Sequence, residues 1–386
     1  MSLDTEKDEA FMQRALILAR ETVALASPNP QVGCVLVKGG EIIAEGAHFY
    51  DHRDHAEIAA LKQARERGID VTGATAYVTL EPCSHHGRTG PCADALVAAR
   101  ISRCVIATQD PNPQVSGQGI AKLRAAGIEV AIGVLQQPAR DLNEAFAHFI
   151  VQHRPFVTLK AALSVNGYLA PSPQTRAPNQ PHWLTGPAAR AEVQRHRHAS
   201  DAILTGIGTV LADNPALTDR TNQPRRRPLL RVVLDSHLRT PLDSQLVRTA
   251  NHDLLLLTSS RAPAERIEAL QQAGAEVEAI PDHDDRLSLA AVLKALAERQ
   301  ILSLLLESGT HLNGAFLRHD LVDKAVLFYS DTELGCDSLP FAEGIASSYL
   351  FQQSLHRTTH NTFGPTEKPD ACITGYLHDP WPTASR

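Results

Sequence analysis

The chain has 386 residues, of which 43% are hydrophobic and 21% charged, and its net charge is −6. That is an ordinary soluble composition with enough apolar material for two cores, and it offers no global basic field to nucleic acid or to an anionic membrane. No apolar run approaches the roughly 20 residues that span a bilayer. The acidic start MSLDTEKDEAFMQ is unlike a signal peptide, and six cysteines in so long a chain do not make a disulfide framework. A cytoplasmic two-domain enzyme is expected.

Residues 8–26 carry apolar side chains at helical spacing (Phe11, Ala15, Leu18, Ala19, Val23) and stop at Ser27-Pro28-Asn29-Pro30. Two β-rich runs, 32–38 and 41–47, meet at Gly39-Gly40, a hairpin signal. His55 opens a helix over 56–67 that Gly68 closes. A strand over 74–80 runs into Glu81-Pro82-Cys83. A helix over 92–100, a buried strand over 104–108, a helix over 120–126, a strand over 128–132 and a helix over 139–151 follow. Their alternation predicts one sheet covered by helices. The pattern restarts near residue 150 with a strand over 156–163. A proline-rich loop or flap follows over 170–182. Strands are expected at 201–205, 230–235, 253–257, 302–307, 324–329 and 371–376, with helices at 187–198, 262–272, 289–299 and 311–318. The reading is two α/β domains, 1–150 and 151–386.

The chemistry concentrates in His55, Glu57, Cys83 and Cys92. A catalytic zinc site has three protein ligands and a fourth position for water, and His55, Cys83 and Cys92 supply three. Glu57 stands where a carboxylate can take a proton from that water and return it to a leaving group. Each ligand lies at or just before the start of a predicted helix, where negative charge is favoured and thiol pKa values fall. The set follows the zinc-deaminase signature H-x-E then P-C-x-x-C, in which the Glu is no ligand, but eight residues separate the cysteines here. His85 and His86 read equally as substrate-loop residues or as surface histidines. Cys34 and Cys104 fall in apolar strands and read as core.

With these motifs quoted, PNPQVGCVLV (28–37), HAE (55–57) and TLEPCSHHGRTGPC (79–92) resemble the deaminase half of the bifunctional riboflavin-biosynthesis deaminase–reductases, in which the stretched cysteine spacing is specific. The resemblance implies a cytidine-deaminase-like domain. It would bind Zn2+ and remove an amino group hydrolytically from a diamino-phosphoribosylaminopyrimidinone. Glu57 would move protons, and Asn29 and the 84–88 loop would contact the substrate. Gly90 stands where that family more often has Pro.

In the second half, Thr205-Gly206-Ile207-Gly208-Thr209 and Glu307-Ser308-Gly309-Thr310-His311 each follow a strand, as turns that bring backbone to an anion do. A plain glycine turn is the equal alternative for the first. LKAALSVNG (159–167), HWLT (182–185), DAILTGIGTVLADNPALTDR (201–220), VVLDS (232–236) and LLESGTHLNGAFL (305–317) are similar, in order, to the family's reductase half, so the resemblance spans about residues 8–376. It implies a dihydrofolate-reductase-like fold and NADPH reducing a ribosyl to a ribityl group. Ala162, Trp183, Thr209, Asp213, Ser236 and the turn Gly309, Thr310, His311, Leu312, Asn313, Gly314 and Ala315 match cofactor positions. Arg197, Leu217, Arg220 and Glu307 match substrate positions, where arginine forks suit a phosphate. Lys160 is the candidate for polarising the sugar carbon, the alternative being a strand-edge lysine facing solvent.

Three departures stand out. Asn166 replaces the family's aspartate, Pro181 its serine near the substrate, and the loop before Trp183 is proline-rich; a need for that aspartate or serine would leave the reductase slow or altered in specificity. Arg225-Arg226-Arg227 reads as a solvated loop, and His196 and His198 as exposed helix-face residues. The expected partner is a small phosphoribosyl-pyrimidine, with no nucleic acid and no membrane, and nothing argues against a homo-oligomer. The rival enzyme is a nucleoside or nucleic-acid base deaminase with a C-terminal binding module. It expects Cys-x-x-Cys and a basic groove, and the sequence has neither.

Overall fold

Alternating side chains on the N-terminal strands serve two cores at once. In a computed structural model, which describes residues 3–84, 90–175, 182–283 and 286–381, the chain forms two compact units. One is Met1–His153 with Pro224–Arg227 and Trp381–Arg386; the other is Arg154–Gln223 with Pro228–Pro380. Among the described residues no helix is long and apolar enough to cross a membrane.

The first unit is built on a five-stranded sheet ordered Glu41–Ala47, Gly33–Lys38, Thr75–Val78, Arg103–Ile106, Glu129–Ile132. The first three strands pair antiparallel and the last three parallel. Successive side chains point to opposite faces of a strand. Val35, Val37, Tyr77 and Val105 therefore pack with Met12 and Leu16 of the helix Leu3–Arg20 and with Ala139. Cys34, Leu36, Ala76, Val78, Cys104 and Ile106 pack on the other face with Ala56, Ala60, Leu96 and Leu123, so Cys34 and Cys104 are core residues. Two close approaches set the helix positions. A Cβ on Gly33 would lie 2.0 Å from the Ala15 carbonyl oxygen, and one on Gly46 would lie 2.3 Å from that of Ala56. The helix Ala56–Glu66 can thus lie on the hairpin only because residue 46 has no side chain.

Three expectations change here. The first helix ends at Arg20 rather than 26, where the Thr22 hydroxyl donates to the Ala19 carbonyl and Ala24 turns left-handed. The helix expected over 139–151 is two, Gln136–Leu142 and Glu144–Gln152. Between them the Asn143 side chain accepts from Gln31 N and donates to Gln31 O, drawing the residue out of helical geometry. The arginine run is not a solvated loop. The Arg226 guanidinium lies 4.1 Å from the Tyr50 ring centroid and donates to Ser27 O, and Arg226 N donates to Ala24 O.

The second unit holds a nine-stranded sheet ordered Glu276–Ala279, Leu254–Thr258, Leu230–Leu234, Ala202–Gly206, Ser303–Leu306, Phe156–Leu163, Lys324–Tyr329, Asp370–Tyr376, His356–Phe363. The strands from Glu276–Ala279 to Lys324–Tyr329 are parallel and the last two antiparallel. The run LLLLT of Leu254–Thr258, one strand in from the edge, is buried throughout, as a parallel strand covered on both faces requires. Val157, Leu159, Ala161 and Leu163 pack with Val292, Leu296 and Phe316 on one face, and Ile203, Val233, Leu254 and Leu256 with Ile207, Val210 and Leu270 on the other. Each of the Val, Leu, Ile and Phe side chains contributes about 1.5–3 kcal/mol by its burial. From Ala202–Gly206 the chain moves to the neighbour Leu230–Leu234, whereas from Ser303–Leu306 it crosses Phe156–Leu163 to Lys324–Tyr329. Connections that diverge in this way open a crevice at the carboxyl ends of the strands.

Candidate active sites

His55 is the residue before the helix Ala56–Glu66, held extended at φ −73°, ψ 161°, and Glu57 lies in that helix's first turn, 3% exposed. Cys92 starts the helix Cys92–Ala98, and Cys83 follows the strand Thr75–Val78. The chain closes on itself there: Ala93 N donates to Cys83 O (3.1 Å) and Cys92 N to Cys83 Sγ (3.3 Å). His55 Nδ1 lies 3.2 Å from Cys92 Sγ and 3.5 Å from Cys83 Sγ, and all three ligand atoms fall within 4.8 Å of one another. One imidazole nitrogen and two thiol sulfurs suit zinc. Three donors, with no fourth grouped with them among the described residues, match a catalytic rather than a closed structural set. A hydrogen bond from the Cys92 thiol does most to pull the Cys83 thiol pKa down, against burial and with help from His55. Burial raises the Glu57 carboxyl above the usual range, which suits a group that both accepts and returns protons. His85, His86 and Arg88 lie outside the described residues.

Two residues that the sequence reading passed over build this site. Buried His48 takes Asn29 Nδ2–H on its Nε2 (2.9 Å) while its Nδ1–H donates to Asp54 O (2.8 Å). That fixes the tautomer and the Asn29 amide, and burial holds the imidazole pKa down. Glu81, 4% exposed, accepts four backbone N–H groups: those of Asp110 (3.2 Å), Gly117 (2.9 Å), Gly119 (3.0 Å) and Ile120 (3.2 Å). A Cβ on Gly119 would lie 2.0 Å from Pro82 O. The helix Gln118–Ala125 is thereby locked against the turn that carries Cys83. A glutamate before Pro-Cys was the only sequence signal for it.

In the second unit a cleft of about 2340 Å³ lies at the carboxyl ends of the parallel strands. Ala162, Trp183, Thr209, Asp213, Ser236, Gly309, Thr310, His311, Leu312 and Ala315 line it, as do Lys160, Arg197, Leu217, Arg220 and Glu307. Asn313 and Gly314 do not. The Asn313 amide donates to Phe341 O (3.0 Å), and a Cβ on Gly314 would lie 2.3 Å from Glu343 O, so both face away and anchor the turn. Gly206-Ile207-Gly208 is more than a turn, since the helix Ile207–Asp213 begins inside it. Trp183 is 59% exposed, with the Arg190 guanidinium 5.2 Å from its ring centroid. The cleft's size, its exposed aromatic and the backbone N–H groups starting the helix Thr310–Arg318 from Gly309 suit a dinucleotide phosphate.

Lys160 sits on a central strand, not at a sheet edge, and its Nζ lies 3.4 Å from Glu307 Oε2. Arg197 meets the same carboxylate in a two-pronged contact, Nε to Oε1 at 2.8 Å and Nη2 to Oε2 at 3.0 Å, and donates from Nη1 to Thr218 O (3.1 Å). Burial alone would raise the Glu307 pKa; the Arg197 and Lys160 cations outweigh it and hold the carboxyl at about 2. Asn166 lies in the turn after that strand and lines a small cavity separate from the cleft. It accepts from Ser164 Oγ (2.7 Å) and Leu334 N (3.2 Å) and donates to Leu334 O (2.6 Å). An aspartate could not make the last bond. Pro181 and residues 176–180 of the proline-rich loop lie outside the described residues. His198, expected on an exposed face, is buried at 5% exposure.

Residues 5–108 match the family profile described as the cytidine and deoxycytidylate deaminase zinc-binding region, and residues 155–364 the one described as the RibD C-terminal domain. The riboflavin biosynthesis protein RibD of Actinobacillus pleuropneumoniae is 42% identical over 86% of each chain. That of Escherichia coli is 40% identical over 90% of this chain and 95% of its own. A Thermotoga maritima structure described as a diaminohydroxyphosphoribosylaminopyrimidine deaminase/5-amino-6-(5-phosphoribosylamino)uracil reductase superposes with TM-score 0.81, at 34% identity over 97% of this chain and 99% of that one. Acinetobacter baumannii RibD superposes with TM-score 0.80, also at 34% identity.

Proposed function

This chain belongs to the RibD family of bifunctional riboflavin-biosynthesis enzymes, a cytidine-deaminase-like deaminase and a dihydrofolate-reductase-like reductase, and we propose which of its residues carry the two reactions. The deaminase half occupies roughly residues 1–150 and acts on a diaminohydroxyphosphoribosylaminopyrimidine. His55 Nδ1, Cys83 Sγ and Cys92 Sγ hold zinc there. When bound, zinc supplies the Lewis acidity that makes water a nucleophile near neutral pH. Glu57 would take one proton from the attacking water and pass it to the ring nitrogen, then carry a second proton, from the hydroxyl now on the ring carbon, to the amino group, which leaves as ammonia as the C–N bond breaks. Its burial supports both transfers, because a carboxyl raised above its usual range gives a proton back as readily as it takes one. Asn29, its amide fixed by His48, orients the pyrimidine edge.

The reductase half occupies roughly residues 151–386 and works on the phosphoribosylaminouracil that results. NADPH supplies the hydride. Trp183, Thr209, Asp213, Ser236 and the turn from Gly309 to Leu312 hold the cofactor, while Asn313 and Gly314 brace that turn. Arg220 takes the substrate phosphate. Lys160, aimed into the cleft by Glu307, polarises the sugar carbon that receives hydride.

One observation carries this reading. Three metal-type donors from three separate elements lie within 4.8 Å of one another, next to a buried glutamate that is no ligand. Glu57→Gln tests it: the variant should keep one zinc per chain and release no ammonia. A zinc-loaded, fully active variant would remove Glu57 from the mechanism.

A further inference from the structure

The helix Pro187–Ala199 grips the loop at 218–221 with three side chains from one face. Gln194 Oε1 accepts Arg220 N (2.9 Å), Arg197 Nη1 donates to Thr218 O (3.1 Å), and His198 Nδ1 lies 2.8 Å from Asp219 Oδ2. Positions 194, 197 and 198 are three and four residues apart and so share a helix face. The other Asp219 oxygen accepts Thr221 N (2.9 Å) and Thr221 Oγ1 (2.8 Å). The histidine and aspartate side chains are only 6% and 7% exposed. From below, buried Arg231 donates to Ala216 O (3.1 Å), and Leu217 packs inward in the left-handed region at φ +52°. An imidazole–carboxylate pair this deep is costly to bury, and neither reaction above uses it. What the loop delivers is Arg220, whose exposed side chain lines the cleft and, among the described residues, pairs with no carboxylate. Arg197 already spends its fork on Glu307 and Thr218.

We propose that the His198–Asp219 pair, with Gln194, is a positioning clamp that holds Arg220 on a phosphomonoester subsite of the cleft. A planar fork repays rigid placement because its two parallel hydrogen bonds to phosphate need one orientation. The clamp rests on the reading of Arg220 as the phosphate ligand, and the two can fail separately.

Ribose 5-phosphate binding to the full zinc- and NADPH-loaded chain, followed by calorimetry with ribose as the control, tests it. Arg220→Ala should weaken ribose 5-phosphate about ten- to a hundredfold, the scale of lost charge-assisted hydrogen bonds, and leave ribose unchanged. Asp219→Asn and Gln194→Ala should each weaken it by a smaller factor, raise KM for the phosphorylated substrate and leave kcat and the NADPH dissociation constant in place. In the Arg220→Ala background neither should weaken it further. If Asp219→Asn and Gln194→Ala change nothing, or cost as much without Arg220 as with it, the clamp is refuted while the phosphate role stands. If Arg220→Ala itself binds ribose 5-phosphate normally, both fall. Gln194→Ala removes one acceptor from a part-exposed position, so it keeps the test available should Asp219→Asn not fold.

Discussion

Replacing Glu307 by Gln removes the carboxylate that meets both Arg197 and Lys160 in the cleft. Arg197, Lys160 and Glu307 are 12%, 13% and 11% exposed, so solvent screens them little. The folded state draws this carboxyl from its ordinary 4.5 to about 2. At about 1.4 kcal/mol per pH unit, ionised Glu307 stabilises the second unit by about 3 kcal/mol, the scale found when one partner of a buried pair is deleted. The sign follows from the depressed value. The contribution is fully present above about pH 4.5 and is lost as pH falls from there toward 2. Urea unfolding of wild type and Glu307→Gln, followed at pH 7, 6 and 3.5, is the assay. The variant should be less stable by about 2–4 kcal/mol at pH 7 and at pH 6 alike, and the gap should narrow at pH 3.5. A variant within 0.5 kcal/mol of wild type at pH 7, or a gap that grows on acidification, would refute the electrostatic account of this cluster.

Three further outcomes follow from particular contacts. Asn166→Asp should cost about 1–2 kcal/mol, by setting a carboxylate against Leu334 O, and leave NADPH oxidation unchanged; a several-fold faster reductase would show that the aspartate of related chains is missed here. Gly46→Ala should push the helix bearing His55 and Glu57 off the hairpin, because its Cβ would lie 2.3 Å from Ala56 O. Zinc affinity, read by competition with a chelator, should fall with it. Glu81→Gln turns an amide N–H toward four backbone donors and should destabilise the first unit by about 2–3 kcal/mol while loosening zinc; unaltered unfolding would mean that the Cys83 turn stands without it.

Where side chains alternate or recur with a helical period, the elements were legible. The strand Phe156–Leu163 and the helix Pro187–Ala199 came within a residue of their expected ends. The strand His356–Phe363 was missed because HRTTHNTF is exposed along nearly its whole length at the sheet edge and shows no alternation. The strand Glu276–Ala279, at the opposite edge, is short and half polar. Asn143 interrupts a helix through bonds to Gln31, more than a hundred residues away, which no local pattern encodes. The zinc-type ligands were legible because that chemistry admits few residue types. His48, Glu81 and His198 were not, since each works by meeting a partner distant in sequence. On periodicity alone His198 belongs to a polar helix face; its partners Asp219 and Thr221 come from the 218–221 loop.

The central claim is that one chain deaminates at a site that His55, Cys83 and Cys92 build for zinc and then reduces the product in the cleft of its second unit. The most direct test supplies the purified chain with the diaminohydroxyphosphoribosylaminopyrimidine and NADPH, and follows ammonia release and NADPH oxidation separately, with and without a zinc chelator. The account predicts ammonia first and NADPH oxidation after it, both lost with the chelator. Supplying the deaminated product should then restore NADPH oxidation alone. Ammonia release that survives complete removal of zinc, or a zinc-loaded chain that releases none, would contradict it.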